Sequence, residues 1–365
     1  MNEGNRQMVN WTYLAGWDPS AGLKKTQTRR ECEVVTLKNK ALLSVMLAVL
    51  MVAGLLTLVE PANAAFPGEN GRIAFSSNRS GNYEIYTMRA NGTNVKLVPG
   101  ASHPADDREP AYSPDGSKIA FRSDRSNPGS GIYDIYVVNL TGTPKLTQVT
   151  NDPADDRDPN WSPDGSRIAF SSTRSGNLDI WSVSSTGTEE DPVNHTSRLI
   201  NPSRLPPVNE LRPVYSPDGS WIAFQSDYFG DWDIWTVSST NPLAFATITI
   251  LSSKDEEPAY SPDGSRIAFS SDRGGNFNVD IYTVSSSGTE VDLKQITNYP
   301  AAHIAEKPAY SPDGKRIVFD DNRSDPFNDN YEIYTVSSTG TEVDLKQVTN
   351  HSEIDYAADW QAKED

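Results

Sequence analysis

The sequence predicts an all-β fold, a six-bladed β-propeller of four-stranded blades, and three observations lead to this prediction. The phrase at residues 111–121, Ala-Tyr-Ser-Pro-Asp-Gly-Ser-Lys-Ile-Ala-Phe, returns barely altered from Asn160, Val214, Ala259 and Ala309. Successive isoleucines of these copies, counted from Ile119, are 49, 54, 45 and 50 residues apart. That spacing leaves room for about four short strands and their turns. A degenerate copy opens the array 46 residues before Ile119.

The blade count follows from the two ends of the array. The opening copy, Asn70–Phe75, lacks the strand that should precede it, because Phe66–Glu69 does not match the repeat. At the other end, Ala358–Gln361 matches that missing strand, with Trp360 placed 50 residues after Tyr310. We therefore expect the C-terminal strand to enter the first blade and close a ring of six, leaving no open sheet edge at the seam.

One blade can be assigned element by element. Glu257–Ser261 is the predicted innermost strand, and Pro262-Asp263-Gly264 is the turn that ends it, with the aspartate capping its own turn. The second strand, Arg266–Ser270, alternates apolar and small or polar residues. The third strand is Asp280–Val284, and the outer strand lies around Lys294–Thr297.

An arginine follows the second strand in five blades, and an acid opens the third strand of the same blades. We expect the two to form an ion pair across one loop, as a scaffold feature. The arginines are Arg79, Arg125, Arg174, Arg273 and Arg323, and the acids are Glu84, Asp134, Asp179, Asp280 and Glu332.

The N-terminal part divides into two segments ahead of the propeller, which we place at residues 65–365. Residues 41–59 form an uncharged apolar run between two lysines and the small-residue site Ala62-Asn63-Ala64. Residues 38–64 are therefore predicted to be a signal peptide cleaved after Ala64, with an uncleaved membrane anchor as the alternative. Either interpretation exports the propeller to the periplasm or the exterior. Residues 1–37 are interpreted as an unstructured leader with a misassigned start.

Charge and composition exclude several classes of function. Without residues 1–64 the chain keeps 25 basic and 44 acidic residues, a formal charge of −19. Nucleic acid and anionic membrane surfaces are poor partners for such a field, whereas basic proteins or cationic peptides suit it. The sole cysteine, Cys32, lies in the leader, and the four histidines form no metal-binding motif, so no cofactor is predicted.

A family resemblance rests on these phrases. Glu257–Phe269, followed by Ser271-Asp272-Arg273 and Asp280-Ile281-Tyr282, resembles the WD-like repeat of the TolB C-terminal propeller, and the similarity covers residues 66–361. The resemblance implies a periplasmic, six-bladed, non-catalytic propeller that takes peptide segments of partner proteins at its channel mouth. The additional α/β domain of that family has no counterpart between Ala65 and Gly71.

A series of acids, three residues before each inner-strand proline, is the first candidate binding site. Its members are Asp107, Asp156, Glu210 and Asp255, with Asp355 equivalent in the closing strand and Glu306 one place off in the remaining blade. We predict a ring of carboxylates at the channel mouth that binds a basic peptide segment or, alternatively, Ca²⁺. The competing interpretation is structural, in which each acid caps a turn or pairs with Arg108, Arg157 or Arg212.

Blade four adds aromatic residues where the other blades carry arginine or lysine. Tyr228, Phe229 and Trp232 lie in the loop after the second strand, and Trp221 lies at the start of that strand. We predict that they contact a partner, or alternatively that they pack against the insertion at residues 186–213.

The sequence as a whole favours an exported, non-catalytic propeller that binds protein or peptide through its loop face. Two alternatives remain open: an exported carbohydrate-active enzyme, a lyase or hydrolase using paired acids on that face, and a structural propeller of a surface assembly.

Overall fold

The computed structural model describes residues 68–101, 103–187, 189, 191–197, 208–250, 252–275, 278–299, 303–324, 330–340, 342 and 344–362. The predicted leader and export signal lie outside these residues. Every regular element in the described part of the chain is a β-strand. No helix long and apolar enough to cross a bilayer is found there.

Twenty-four strands form six antiparallel sheets of four, which we number as blades 1 to 6 in chain order. Blade 1 contains β1 Asn70–Ser77, β2 Glu84–Arg89 and β3 Lys96–Leu97; blade 2 contains β4 Asp107–Tyr112, β5 Lys118–Ser123, β6 Asp134–Asn139 and β7 Leu146–Gln148; blade 3 contains β8 Asp156–Trp161, β9 Arg167–Ser172, β10 Asp179–Ser184 and β11 Val193–Asn194. Blade 4 contains β12 Glu210–Tyr215, β13 Trp221–Ser226, β14 Asp233–Ser238 and β15 Phe245–Thr247; blade 5 contains β16 Asp255–Tyr260, β17 Arg266–Ser271, β18 Asp280–Ser285 and β19 Lys294–Gln295; blade 6 contains β20 Ala305–Tyr310, β21 Arg316–Asp321, β22 Glu332–Ser337 and β23 Lys346–Gln347. The last strand, β24 Asp355–Ala362, completes blade 1.

The closure of the ring is confirmed. β24 pairs antiparallel with β1, and Trp360 lies opposite Ile73 in the register of the two strands. Trp360 is buried in one cluster with Phe75 and Ile333, so the closing strand contributes both to the blade 1 sheet and to its contact with blade 6. The prediction of six four-stranded blades with a C-terminal closing strand is therefore correct.

The core lies between successive blades, because both faces of each second strand are covered. In β17, Ile267 and Phe269 pack with Tyr260 and with Ile234 of the preceding blade, whereas Ala268 faces the next blade. This two-sided burial explains why the second strands consist of Ile, Ala and Phe rather than a simple apolar–polar alternation.

The turn after each inner strand is built as predicted. In blade 5, Asp263 Oδ1 accepts hydrogen bonds from Ser261 Oγ at 2.6 Å and from Ser265 N at 3.0 Å, so the aspartate caps its own turn. Gly264 has a φ of +68°, and a Cβ there would lie 2.9 Å from Cγ of Pro217 in blade 4. Glycine is thus required both for the turn and for the approach of the neighbouring blade.

Candidate functional site

Each inner strand carries a β-bulge at its third residue, where the chain turns toward the central channel. Register shifts interrupt the pairing with the second strand at this point in all six blades. The bulged residues all have a positive φ between 51° and 59°: Glu109, Asp158, Arg212, Glu257, Lys307 and Ala357. We call this set the bulge ring. Five of its six members are charged, and all six line one central cavity.

The left-handed conformation is unfavourable for residues other than glycine, by roughly 1 kcal/mol or more each. A bulge also removes the backbone N–H from the strand ladder. In every blade that N–H instead donates to a side chain of the preceding blade. The acceptors around the ring, at 2.6–3.2 Å, are Ser76 Oγ, Glu109 Oε2, Ser171 Oγ, Gln225 Oε1, Glu257 Oε2 and Asp320 Oδ1. The bulges are therefore held in place by contacts between successive blades.

Arg212 joins the bulge ring across the channel. Its guanidinium lies 3.2 Å from Asp158 Oδ1, 3.7 Å from Glu109 Oε1 and 3.5 Å from Glu257 Oε1. Those carboxylates belong to blades 3, 2 and 5. Because one cation from blade 4 contacts all three, the ring is a single electrostatic network rather than a set of separate pairs.

A second cation lies two blades further round the ring and shares Glu257 with Arg212. Lys307 Nζ lies 3.3 Å from Asp320 Oδ2, 3.7 Å from Glu306 Oε2 and 3.9 Å from Glu257 Oε1. It also lies over the Tyr356 ring, at 5.1 Å from its centroid. Three carboxylates share this one ammonium group, so negative charge is in excess there.

The pKa values of the acids reflect this unequal sharing. Burial raises the pKa of Asp320 to about 7 despite the nearby Lys307, since Glu257 and Glu306 oppose its ionisation. Burial would also raise the pKa of Glu109, but the charges of Arg122 and Arg212 outweigh it and lower that pKa to about 2. The charge of Asp320 is therefore less fully compensated than that of Glu109.

The residue before each bulge forms a second layer at the mouth, and its charge is divided between two sides. Blades 2 and 3 contribute Arg108 and Arg157, whereas blades 5 and 6, opposite them in the ring, contribute Glu256 and Glu306. Burial and the adjacent Glu257 raise the pKa of Glu256 to about 7. Arg108 and Arg157 pair with Asp106 and Asp155 of their own blades, so that side of the mouth carries little net charge, whereas the side of blades 5 and 6 is acidic.

Below the bulge ring the channel is narrow and mostly apolar. The cavity has a volume of about 180 Å³, and its wall repeats the Pro-Ala-Tyr pattern of Pro258-Ala259-Tyr260. Three blades replace the alanine, by Val214, Asn160 and Asp359, and the last two are polar. Asn160 Oδ1 and Asp359 Oδ2 each accept the backbone N–H of the aromatic residue in the next blade, at 3.0 and 2.7 Å. Burial raises the pKa of Asp359 to about 7.

The predicted carboxylate series lies at the first position of the inner strands, but its side chains are buried within the blades. Four of them pair with an arginine at 2.5–2.9 Å, as Asp107–Arg125, Asp156–Arg174, Asp255–Arg273 and Asp355–Arg79. Each of these four aspartates has a relative exposure of 0%. The expected open ring of these carboxylates is therefore wrong in its geometry. The bulge two residues further along breaks the alternation of the strand, so that the bulged residue lines the channel and the first residue does not.

The same pairs correct the expected partner of the arginines. In blades 1, 2, 3 and 5 the arginine after the second strand pairs with the acid that opens the inner strand, not with the one that opens the third strand. In blade 5, Arg273 also stacks between Phe269 and Tyr282, with its guanidinium carbon 5.1 and 5.3 Å from the ring centroids. In blade 6, where Ala305 opens the inner strand, Arg323 pairs with Asp321 at 2.7 Å instead.

Blade 4 lacks this arginine, and Tyr228 takes its place. Its acid, Glu210, is 1% exposed and faces the carboxylates of Asp179 and Asp227. Burial, reinforced by Asp179, raises the pKa of Glu210 to about 9. This carboxyl group therefore carries a proton at neutral pH.

The aromatic residues of blade 4 divide between the two faces. Tyr228 and Phe229 form a cluster with Trp235, in which all three ring centroids lie 5.3–5.4 Å apart, and Phe229 is 54% exposed. Trp232 is half-buried and lies three residues before Trp235 in the sequence. Trp221 is the first residue of β13, at the end of that strand away from the loop that carries Tyr228. Much of the insertion expected to cover the cluster, residues 198–207, lies outside the described residues.

Sequence reasoning missed the bulge ring and Trp235. The sequence feature that could have indicated the bulge ring is the residue directly before the proline of the inner strand, which is charged in all five strands that contain this proline. Among the described residues, no group of three or more His, Cys, Asp or Glu is arranged to hold a metal ion.

Solved structures share this fold. TolB from Acinetobacter baumannii has 22% identity and a TM-score of 0.61 over 80% of this chain and 67% of its own. A protein named TolB from Agrobacterium tumefaciens has 22% identity and a TM-score of 0.59 over 80% of this chain and 98% of its own. The tricorn protease has 18% identity and a TM-score of 0.55, over 79% of this chain but only 26% of its own. No family model matches the chain.

Proposed function

We propose that this TolB-like propeller is a non-catalytic binding module that takes a basic peptide segment of a partner protein at its channel mouth. The observation that carries the proposal is the bulge ring. Six equivalent bulges adopt the left-handed conformation, and five of them carry charged side chains that meet at one place. This conformation is unfavourable for residues other than glycine, and such strain is typical of binding sites rather than of a purely structural channel.

The acidic side of the mouth supplies the attraction for such a segment. Glu256 and Glu306 lie at the entrance of blades 5 and 6, and Lys307 compensates only part of the charge of the carboxylates around it. An incoming lysine or arginine would lower the pKa of both glutamates and form charge-assisted hydrogen bonds with them. Arg108 and Arg157 are paired with Asp106 and Asp155, and their remaining N–H groups would donate to backbone carbonyls of the same segment.

The exposed aromatic cluster lies on the same face and would add apolar contact. Phe229 presents more than half of its surface to solvent, and Tyr228 and Trp235 support it from beneath. Aromatic side chains of this kind contribute strongly to protein interfaces. Residues 38–64 would export the protein, so the partner would be periplasmic or extracellular.

Selection of peptides tests the proposal. The full-length protein is used to select from a displayed library of random peptides, and the affinity of a labelled selected peptide is measured by fluorescence anisotropy. We expect enrichment of lysine and arginine, and at least about tenfold weaker binding to the Glu256→Gln/Glu306→Gln double variant.

A matched control removes the same number of charges from the same two blades. Asp292 and Asp344 are exposed acids of their outer hairpins, and Asp292→Asn/Asp344→Asn should bind the peptide like the wild type once ionic strength is held constant. Selection of peptides without basic residues, or equal weakening by both double variants, would overturn the proposal.

Asp359 favours a second candidate function, an exported carbohydrate-active enzyme. A carboxyl group with a pKa of about 7 in a narrow channel has the titration range of a general acid or base. Turnover of polysaccharide by the full-length protein, abolished in Asp359→Asn, would establish this alternative. If the full-length protein does not turn over these polysaccharides, enzymatic activity on them is excluded.

A further inference from the structure

A second cavity opens between blades 4 and 5, at the turns that end the inner strands, on the face opposite the channel mouth. We propose that it binds a neutral polysaccharide, with Trp221 as the platform on which one pyranose ring stacks. The cavity has a volume of about 450 Å³, within the ~300–1,000 Å³ typical of small-molecule sites. It shares Ser216 and Tyr260 with the wall of the central cavity, but none of its lining residues belongs to the bulge ring.

Trp221 stands where blades 3 and 5 have an arginine that hydrogen-bonds to the outer hairpin of its own blade. At the equivalent position of blade 5, Arg266 donates to the carbonyls of Thr283 and Asp292 at 3.0 and 2.7 Å and so lies along the outer hairpin. Arg167 does the same in blade 3, with Ser182 and Asp191 at 2.9 and 2.6 Å. Trp221 makes no such bonds to the described residues, and 36% of it remains exposed at the cavity.

The rim of the cavity is rich in hydrogen-bonding oxygens. Asp218 and Asp263 line it, and Oδ1 of each accepts the hydrogen bonds that cap its turn; for Asp263 the bond from Ser265 Oγ also goes to Oδ1, at 2.8 Å. Ser286 and Ser287 line the opposite edge, where Ser286 Oγ holds the hairpin of blade 5 against the carbonyl of Gly264 at 2.6 Å.

This arrangement matches the two kinds of surface on a sugar. The C–H face of a pyranose ring is apolar and stacks on an indole, while its hydroxyl groups point outward from the ring edge toward carboxylate and serine oxygens. The charged residues that line the cavity are both acids, so an anionic saccharide would be repelled and a neutral one accepted.

Calorimetric titration of the full-length protein with neutral hexasaccharides of glucose, N-acetylglucosamine and mannose tests this inference, with oligogalacturonate as the anionic comparison. We expect at least one neutral sugar to bind and the anionic one not to. Trp221→Arg, which gives blade 4 the arginine found at this position in blades 3 and 5, should weaken binding at least about tenfold. Trp221→Phe, which keeps an aromatic face, should retain part of the affinity.

Leu243→Ala, an exposed apolar truncation in the same blade that does not line the cavity, serves as the control and should bind sugar like the wild type. Circular dichroism and a thermal melt verify that each variant is folded. Trp221→Arg should leave peptide binding at the channel mouth unchanged, so the two sites fail independently. No binding of any neutral hexasaccharide, equal binding by Trp221→Arg, or binding only of a basic peptide in this cavity would overturn the proposal.

Discussion

Arg79 of the first blade and Asp355 of the closing strand form an ion pair, with Nη2 and Oδ2 2.6 Å apart. The two residues are separated by 276 positions in the sequence. Asp355 is fully buried, and the same pair recurs within three other blades between neighbouring strands of a continuous segment. The seam of the ring is thus fastened by the contact that elsewhere organises a single blade.

Replacing Asp355 by alanine should destabilise the whole propeller. The substitution leaves Arg79 largely buried without its partner at the seam between the first blade and the closing strand, and we expect a loss of about 3 kcal/mol in the free energy of unfolding. Urea denaturation measures it. Asp292→Asn, which removes the charge from an exposed pair with Arg266 and tolerates the positive φ of 53° at this position, is the control and should change the unfolding midpoint little. Equal effects of the two substitutions would contradict the assignment of the seam.

Introducing the missing arginine of blade 4 should stabilise the protein at alkaline pH. In Tyr228→Arg the guanidinium would reach Glu210, lower its pKa from about 9 and remove the cost of ionising it, a gain of about 1–2 kcal/mol at pH 9. Unfolding by urea at pH 9 measures the gain. In a Glu210→Gln background the same substitution should bring no such gain, and a gain of equal size there would contradict the mechanism.

The stability of the fold should fall as pH rises from about 5 to 9. Burial raises the pKa of Glu210 to about 9 and those of Asp233 and Asp320 to about 7, so the folded protein holds protons that the unfolded chain releases above its ordinary carboxyl pKa of about 4. Because the folded state binds more protons throughout this window, the free energy of unfolding has a negative slope with pH. Urea midpoints at several pH values test the slope, which should be shallower in Glu210→Gln. A midpoint that rises with pH would contradict the raised pKa values.

The fold could be predicted from the sequence because its repeat is regular. The Ser-Pro-Asp-Gly turn fixes the end of the inner strand in blades 2 to 6, and the Ile-Ala-Phe of the second strands, Ile-Val-Phe in blade 6, marks a two-sided core. The incomplete repeats around Ile73 and Trp360, at the two ends of the array, complete one blade when their strands pair, and this pairing closes the ring.

The predicted carboxylates lie at the start of the inner strands, as expected, but their side chains do not line the channel. Asp107 and Glu109 are two positions apart, so simple alternation would put both on one face of the strand. The bulge at Glu109 breaks that alternation: Asp107 is buried beside Arg125, and Glu109 lines the channel. A bulge built from charged residues, without glycine, leaves no mark in a propensity pattern. The contacts of Arg212 with three blades are equally invisible in a linear sequence.

Photo-crosslinking tests the central claim, that the bulge ring and the residues before it form the binding surface. A selected basic peptide carrying a photoreactive side chain is irradiated with the full-length protein, and the attachment sites are located by mass spectrometry. We predict attachment at residues 106–109, 155–158, 255–257 and 305–307, at the start of the inner strands. Attachment confined to the turns at the other end of these strands, residues 113–117 and 261–265, would contradict the account.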